Sequence, residues 1–233
     1  MNRTWFYFGV LLVALAMVLS SAGAAVAAPL AGFALVSETQ HFAFYSRDKA
    51  RPDAEKSERY VRELETLLGQ QVTGRVEYYR CEHAEEIANA TGRLAAGVTS
   101  LGERRIYSVQ DFHAHELVHL VSGQLGNAGS FFDEGLAVAL SHEAPLKKAG
   151  VEKAARAAGS LSALAANFDS MDQRTGYAVA GSFVSHLLRT HGTAKVASFF
   201  RACGPKGGDP AAAFLSVFGT TLDEAGKTWQ ASL

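Results

Sequence analysis

Hydrophobic positions in the first half of the chain follow the periods of short strands and amphipathic helices. Apolar and polar residues mix in short runs from Phe33 to Phe44, which favours strands. Residues 54–68 repeat apolar side chains at helical spacing, and Gly69 and Gly92 are expected to end helices. The predicted elements are strands at 33–44, a helix at 54–68, a strand at 73–80, a short helix at 83–91 and a strand at 103–109.

The pattern in the second half of the chain is helical throughout. The alanine-rich stretch 154–166 is expected to be helix rather than linker. Strands gathered in the first half and helices in the second predict an α+β fold. Helix ends are expected at Gly150, Gly159, Gly192 and the loop 203–210.

The segment HELVH brings two histidines and a glutamate onto one predicted helix. His115 and His119 are four residues apart and lie about 40° from each other around the helix axis. Both imidazoles can therefore reach one metal ion. Glu116 projects about 100° from His115, beside that ion.

This helix is expected to start near Ser108 or Asp111, with the two forming a capping-box pair, and to end at Gly123. Its opposite arc carries apolar side chains that can be buried. The helix is thus predicted to have one apolar face and one face available for chemistry. The apolar residues are Leu117, Val118, Leu120 and Val121.

Glu134 supplies a third possible metal ligand fifteen positions after His119. The loop between them, residues 122–130, holds three glycines, so two helices can fold back on each other there. Ser130 is expected to cap the helix that carries Glu134. Two histidines and one glutamate are a known set of catalytic zinc ligands that leaves the fourth position for water.

Two other interpretations of these residues are open. The histidines could be ordinary surface or core residues of an amphipathic helix, with Glu134 a solvated charge. The second interpretation is a di-iron helix bundle, because Glu116 and His119 also form a Glu-x-x-His pair. That chemistry needs a second such pair on a helix, together with two further helix glutamates, and the other Glu-x-x-His in the sequence, Glu38 to His41, lies in the stretch expected to form strands.

HELVH followed by the aromatic-rich FFDEGLA resembles the gluzincin metallopeptidases, and more narrowly the peptidase-MA-like proteins, with their HExxH and EGxA motifs. The resemblance implies a zincin-like fold, with a small N-terminal mixed sheet, an active-site helix and a helical C-terminal half. It also implies one catalytic Zn²⁺ held by His115, His119 and Glu134, with Glu116 as general base. The substrate implied is a peptide or protein that pairs with the last strand of the sheet. Further segments similar to this family are 38–46, 76–81, 176–192 and 218–233.

The chain departs from the thermolysin-like members in two respects. The spacing to the third ligand is shorter, and Val138, not Asp, stands four residues after Glu134. A carboxylate that supports the metal ligands must therefore come from elsewhere.

One residue on a later helix is expected to assist the reaction. Related enzymes often use a Tyr or His there to donate a hydrogen bond to the developing oxyanion. The segment 176–192 offers four candidates, and Tyr177 is the preferred catalytic one. The others are His186, Arg189 and His191. His113 is about 200° around its helix from His115 and is expected to pack or face solvent.

These observations predict a zinc-dependent metallohydrolase, and specifically a peptidase that uses zinc-activated water and Glu116 as general base. The alternative is a non-catalytic zincin-fold module of the cell envelope that retains zinc and binds a partner. Glu116 favours the enzyme, because a structural zinc site needs no base and completes its coordination with protein.

Charge and cysteine content limit the partners and the cellular compartment. The formal net charge is −1 at pH 7, so no attraction to nucleic acid is expected. Cys81 and Cys203 are the only cysteines. In an exported protein they could form a disulfide, or they could be two buried thiols.

The first 27 residues have the three regions of a secretory signal peptide. Arg3 is their only charge, an apolar run extends from Trp5 to Val18, and small residues follow up to Ala27. Residues 28–233 would then form the metallopeptidase domain, periplasmic or extracellular, with no stable membrane insertion. The alternative is an uncleaved membrane anchor, because the uncharged stretch is long enough to span a bilayer.

Export can be tested by N-terminal sequencing of the protein recovered from the cell envelope or the medium. Cleavage after Ala27 is expected, so the first residue should be Ala28, because Ala25 and Ala27 satisfy the small-residue rule at the cleavage site. An intact Met1 on soluble cytoplasmic protein would contradict export. An intact Met1 in a membrane fraction would instead support the anchor.

Overall fold

Strands occupy the first half of the chain and helices the second, as the sequence predicts. The computed structural model describes residues 30–47, 50–141 and 148–233, and the proposed signal peptide lies outside them. Across these three stretches, no helix has the length and apolar character needed to cross a membrane. The strands are β1 Ala34–Glu38, β2 Phe42–Ser46, β3 Val76–Arg80, β4 Gly97–Ser100 and β5 Arg105–Ser108.

Helices α1 and α2 connect the strands, and the remaining helices follow the sheet. A single 3-10 turn, Phe168–Ser170, precedes the longest helix. The helices are α1 Ala54–Leu68, α2 Ala84–Thr91, α3 Ala114–Ser122, α4 Ser130–Ser141, α5 Lys148–Ala158, α6 Leu161–Ala166, α7 Gln173–His191, α8 Thr193–Cys203, α9 Pro210–Phe218 and α10 Leu222–Ser232.

The five strands form one mixed sheet in the order β1-β2-β3-β5-β4. The three central strands are parallel, and the two outer strands, β1 and β4, run antiparallel to their neighbours. Side chains alternate between the two faces of each strand, so the sheet has two separate apolar layers. The described chain therefore has the predicted α+β class, with the sheet made entirely by its N-terminal part.

One face of the sheet packs against α1 and α3. Phe44, Tyr78 and Ile106 are fully buried there with apolar residues of both helices. The opposite face carries a stack of tyrosine rings across the three parallel strands. The centroids of Tyr45 and Tyr79 are 5.0 Å apart, and those of Tyr79 and Tyr107 are 5.5 Å apart. The first face supports the HELVH helix, which is α3.

Helices α4 and α7 approach each other more closely than ordinary side chains permit. A Cβ atom on Gly135 would lie 2.8 Å from the carbonyl oxygen of Ala180 and 2.7 Å from Val184 Cγ2. A Cβ atom on Gly181 would lie 2.9 Å from Val138 Cβ. Gly135 and Gly181 therefore let the two helix backbones come together, and Val138 fills the space beside Gly181.

The expected start of α3 at Ser108 or Asp111 is wrong, and these two residues do not form a capping box. Ser108 is the last residue of β5 and pairs with Arg80 of β3, which keeps it in the sheet. The Asp111 carboxylate instead accepts a hydrogen bond from Arg80 Nε at 2.6 Å. The helix begins at Ala114 and ends, as predicted, before Gly123.

Three other local predictions differ from the structure. Gly150 does not end a helix, because α5 runs through it; one glycine costs a helix only about 1 kcal/mol. Ser130 is the first residue of α4 and not its cap, since the carbonyl of Gly129 accepts from the N–H of Asp133. Strand β4 was missed because its sequence, GVTS, has no hydrophobic alternation over four residues.

Both cysteines are buried free thiols, so the disulfide alternative is not present. Burial raises the pKa of the Cys81 thiol and of the Cys203 thiol to about 11 in each case. Each thiol therefore stays protonated at neutral pH and behaves as a small apolar side chain.

Candidate metal centre

Helix α3 presents His115 and His119 on the same side, toward α4. Their ring centroids are 4.8 Å apart, and both rings belong to adjacent turns of one helix. His115 is buried, whereas 20 % of the His119 side chain is exposed. The opposite arc of α3 is buried as predicted, by Leu117, Val118, Leu120 and Val121. Packing on that arc fixes the direction of the two imidazoles.

Glu134, in the second turn of α4, reaches both histidines. Its Oε2 atom lies 3.0 Å from His115 Nε2 and 3.4 Å from His119 Nε2. Burial by itself would raise the pKa of the Glu134 carboxyl. Hydrogen bonds and charge from the two imidazoles outweigh burial and hold that pKa well below its usual value. The carboxyl is therefore ionised and available to a cation.

The three side chains fit a divalent metal ion by distance and by donor type. One ligand atom from each of His115, His119 and Glu134 lies within 4.8 Å of the others, and no other such group occurs among the described residues. Zinc bonds of about 2.0–2.1 Å in tetrahedral geometry place ligand atoms roughly 3.3 Å apart. The two distances to Glu134, 3.0 Å and 3.4 Å, are close to that separation.

Tyr177 of α7 lies directly against the metal-site histidines. Its ring stacks on His115 with centroids 5.7 Å apart and planes 7° from parallel, and on Phe168 with centroids 6.1 Å apart. Burial, together with the nearby Glu134 carboxylate, raises the pKa of the Tyr177 phenol. The phenol therefore stays protonated beside the Glu134 carboxylate. The two flanking rings hold it in this orientation.

The other candidates on α7 lie elsewhere. His186 Nδ1 is 3.3 Å from the hydroxyl of Ser232, near the end of the chain. His191 packs on the ring of Phe218, with centroids 5.0 Å apart, and Arg189 is exposed. Of the four residues that the sequence offered on this helix, the structure brings Tyr177 to the histidines.

Glu116, the residue after His115 on α3, is buried, and its side chain faces the sheet. Thr99 of β4 donates a hydrogen bond to Glu116 Oε2 at 2.8 Å, and its hydroxyl is also 3.0 Å from the Glu116 carbonyl oxygen. Sequence reasoning missed Thr99, because β4 was not predicted and a single threonine carries no pattern. The sheet thus contributes directly to the site.

Two more ionisable groups, the buried His113 and the half-buried Asp133, lie at the edge of the site. His113 packs as predicted: its Nδ1 is 2.8 Å from Ser108 Oγ, and burial, with the charges of His115 and His119, lowers its pKa to about 4. Burial raises the pKa of Asp133 to about 6, while His119 acts in the opposite direction. Asp133 therefore supplies a carboxyl beside the ligands, at a position that sequence analysis did not single out.

Comparison with known proteins finds neither a family model nor a curated protein that matches this chain. The interpretation of the site consequently rests on its own residues and their geometry.

Zinc binding can be tested with two ligand variants and one control. The wild type should bind about one zinc per chain. Loss of a residue that only supports a metal ligand typically weakens metal binding about 10- to 100-fold. His115→Ala or Glu134→Ala removes a ligand itself and should therefore weaken zinc binding by more than that. His186→Ala, which changes a histidine outside the site, should bind zinc like the wild type. Metal analysis after dialysis measures all four proteins. Equal zinc in the wild type and both ligand variants would refute the site.

Proposed function

We propose that this protein is an exported zinc-dependent peptidase of the gluzincin type with a zincin-like fold. The observation that carries the proposal is the convergence of His115, His119 and Glu134 within 4.8 Å, with the buried Glu116 directly after His115 on the same helix. Three protein ligands leave a coordination position for water, and a base beside it has a role only in catalysis.

The arrangement of the sheet supports the zincin-like assignment. The last strand expected from the sequence, at 103–109, is β5, and it is not at the edge of the sheet, because β3 and β4 pair with its two sides. Outer strand β4 contacts α3 instead, so its outer edge borders the helix that carries the histidines. An extended peptide that added to this edge would form main-chain hydrogen bonds along β4. Its scissile bond would then lie beside Glu116.

Five side chains divide the chemistry among them. When bound, zinc lowers the pKa of a water molecule toward about 7 and polarises a carbonyl group. Glu116 accepts the proton of the attacking water and passes it to the leaving amine. Tyr177, kept protonated by burial and by Glu134, donates a hydrogen bond to the oxygen on which negative charge develops. His115, His119 and Glu134 hold the ion.

A non-catalytic module of the cell envelope is the second candidate function. It would use the same ion to stabilise the fold and the edge of β4 to bind a partner. Structural zinc sites are closed by four protein ligands, whereas three converge here among the residues that the structure describes. The buried Glu116, held by Thr99 beside those ligands, also favours the enzyme.

Replacing Glu116 separates these two functions. Glu116→Gln keeps the shape of the side chain and the metal ligands but removes the proton acceptor. We expect a folded protein with wild-type zinc content whose peptide cleavage is about a hundredfold to ten-thousandfold slower. Glu63→Gln, at an exposed position of α1, should cleave at the wild-type rate.

The measurement is cleavage of a broad peptide library by the purified protein that begins at Ala28. Cleavage is measured before the metal is removed with a chelator, after its removal, and after zinc is added back. Wild-type activity in Glu116→Gln would rule out the assigned mechanism. A wild type that cleaves nothing in the library would favour the non-catalytic module.

The role of Tyr177 is tested by Tyr177→Phe, which keeps the ring stack and removes only the hydroxyl. Loss of one oxyanion donor typically lowers kcat by about 10²- to 10³-fold, and that loss is expected here in protein loaded with one zinc. Tyr60→Phe removes a hydroxyl that bonds the Leu140 carbonyl and serves as control. If Tyr177→Phe weakens zinc binding but the loaded protein keeps its kcat, Tyr177 supports Glu134 and does not act on the substrate.

A further inference from the structure

Strand β4 touches the proposed general base through one hydroxyl group. Thr99 Oγ is 2.8 Å from Glu116 Oε2 and 3.0 Å from the Glu116 carbonyl oxygen. Both of these atoms are acceptors, so the threonine hydroxyl is the donor, and it has one proton to give. A hydrogen bond to an ionised carboxylate is about twice as strong as one between neutral groups, so the carboxylate is the favoured acceptor.

The same strand also limits the space around Glu116. Gly97 lies two residues before Thr99 and therefore on the same face of β4. A Cβ atom on Gly97 would lie 2.7 Å from Glu116 Cγ and would also collide with the His113 ring. The backbone of β4 thus packs against the methylene groups of Glu116, while Thr99 binds its carboxylate. The side chain is held along its length.

We propose that Thr99 is the positioning residue for Glu116, an inference that rests on the function proposed above. A glutamate has three rotatable side-chain bonds, and fixing them in advance removes an entropic cost from the reaction. The bond from Thr99 fixes Oε2 against the strand. Oε1, which takes no part in that bond, is then the oxygen that receives the proton of the attacking water.

A purely structural role is the competing explanation, in which Thr99 only ties β4 to the backbone of α3. The two roles differ in what removal of the hydroxyl changes. A tie between strand and helix affects folding stability alone. A positioning role lowers kcat with little change in KM, because the base acts in the transition state and does not hold the substrate.

The kinetic test compares three variants in zinc-loaded protein. Thr99→Val keeps the β-branched shape without the hydroxyl, and we expect kcat to fall roughly 10- to 100-fold, with KM within about twofold. Thr99→Ser keeps the hydroxyl and should retain most of the activity. Thr91→Val removes a hydroxyl that bonds the Ile87 carbonyl in α2, and it should cleave like the wild type.

A second test needs neither zinc nor substrate. In a double-mutant cycle on the metal-free protein, Thr99→Val should lower the equilibrium constant for folding about five- to tenfold with Glu116 present. In the Glu116→Ala background the same change should have a clearly smaller effect, because the Thr99 hydroxyl can then bond only to the backbone carbonyl at position 116. Equal effects in both backgrounds would show that the two side chains do not interact, which would overturn the proposal.

The outcomes of the kinetic test separate the positioning role from the proposed function. If the wild type cleaves peptides and Thr99→Val keeps its kcat, Thr99 does not position the base, although the function stands. If Thr99→Ser is as slow as Thr99→Val, the hydroxyl is not the cause, and the proposal fails. If the wild type cleaves no peptide, the proposed function fails first and the role of Thr99 in catalysis with it.

Discussion

Close packing between α4 and α7 is the contact on which the candidate site depends. Gly135, the residue after Glu134, leaves room for the carbonyl of Ala180, and Gly181 leaves room for Val138. A larger residue at either glycine would force the two helices apart, and overpacking of this kind costs about 1–3 kcal/mol. Because α4 also packs on α3, the same contact brings Tyr177 from α7 onto the ring of His115.

The site gathers ionisable groups whose burial is costly without a cation. Glu116 and Asp133 are carboxyl groups shielded from solvent, and Glu134 is already ionised between two imidazoles. Buried charges are stable only when they are paired, hydrogen-bonded or bound to a metal. A divalent ion among His115, His119 and Glu134 would supply positive charge at the centre of this group. The donor distances also allow a metal ion at this place.

The far face of the sheet supports the position of the proposed base. The stacked rings of Tyr45, Tyr79 and Tyr107 connect the three parallel strands, and the buried ion pair of Arg105 with Glu77, at 2.7 Å, joins β5 to β3. Strand β5 in turn pairs with β4, which carries Thr99. Glu116 is therefore held by an outer strand whose own place is set by contacts on the opposite side of the sheet.

The sequence by itself determined the features that depend on neighbours a few residues apart. The bounds of α1, the one-sided burial of α3 and the spacing of His115 and His119 follow from helical periodicity and from glycine at helix ends. Tertiary structure alone decided which distant residues join them. Tyr177 rather than His186 meets His115, Thr99 meets Glu116, and Val138 fills a gap instead of supplying a carboxylate. These contacts depend on how whole helices and strands pack, and no local period in the chain encodes such distances.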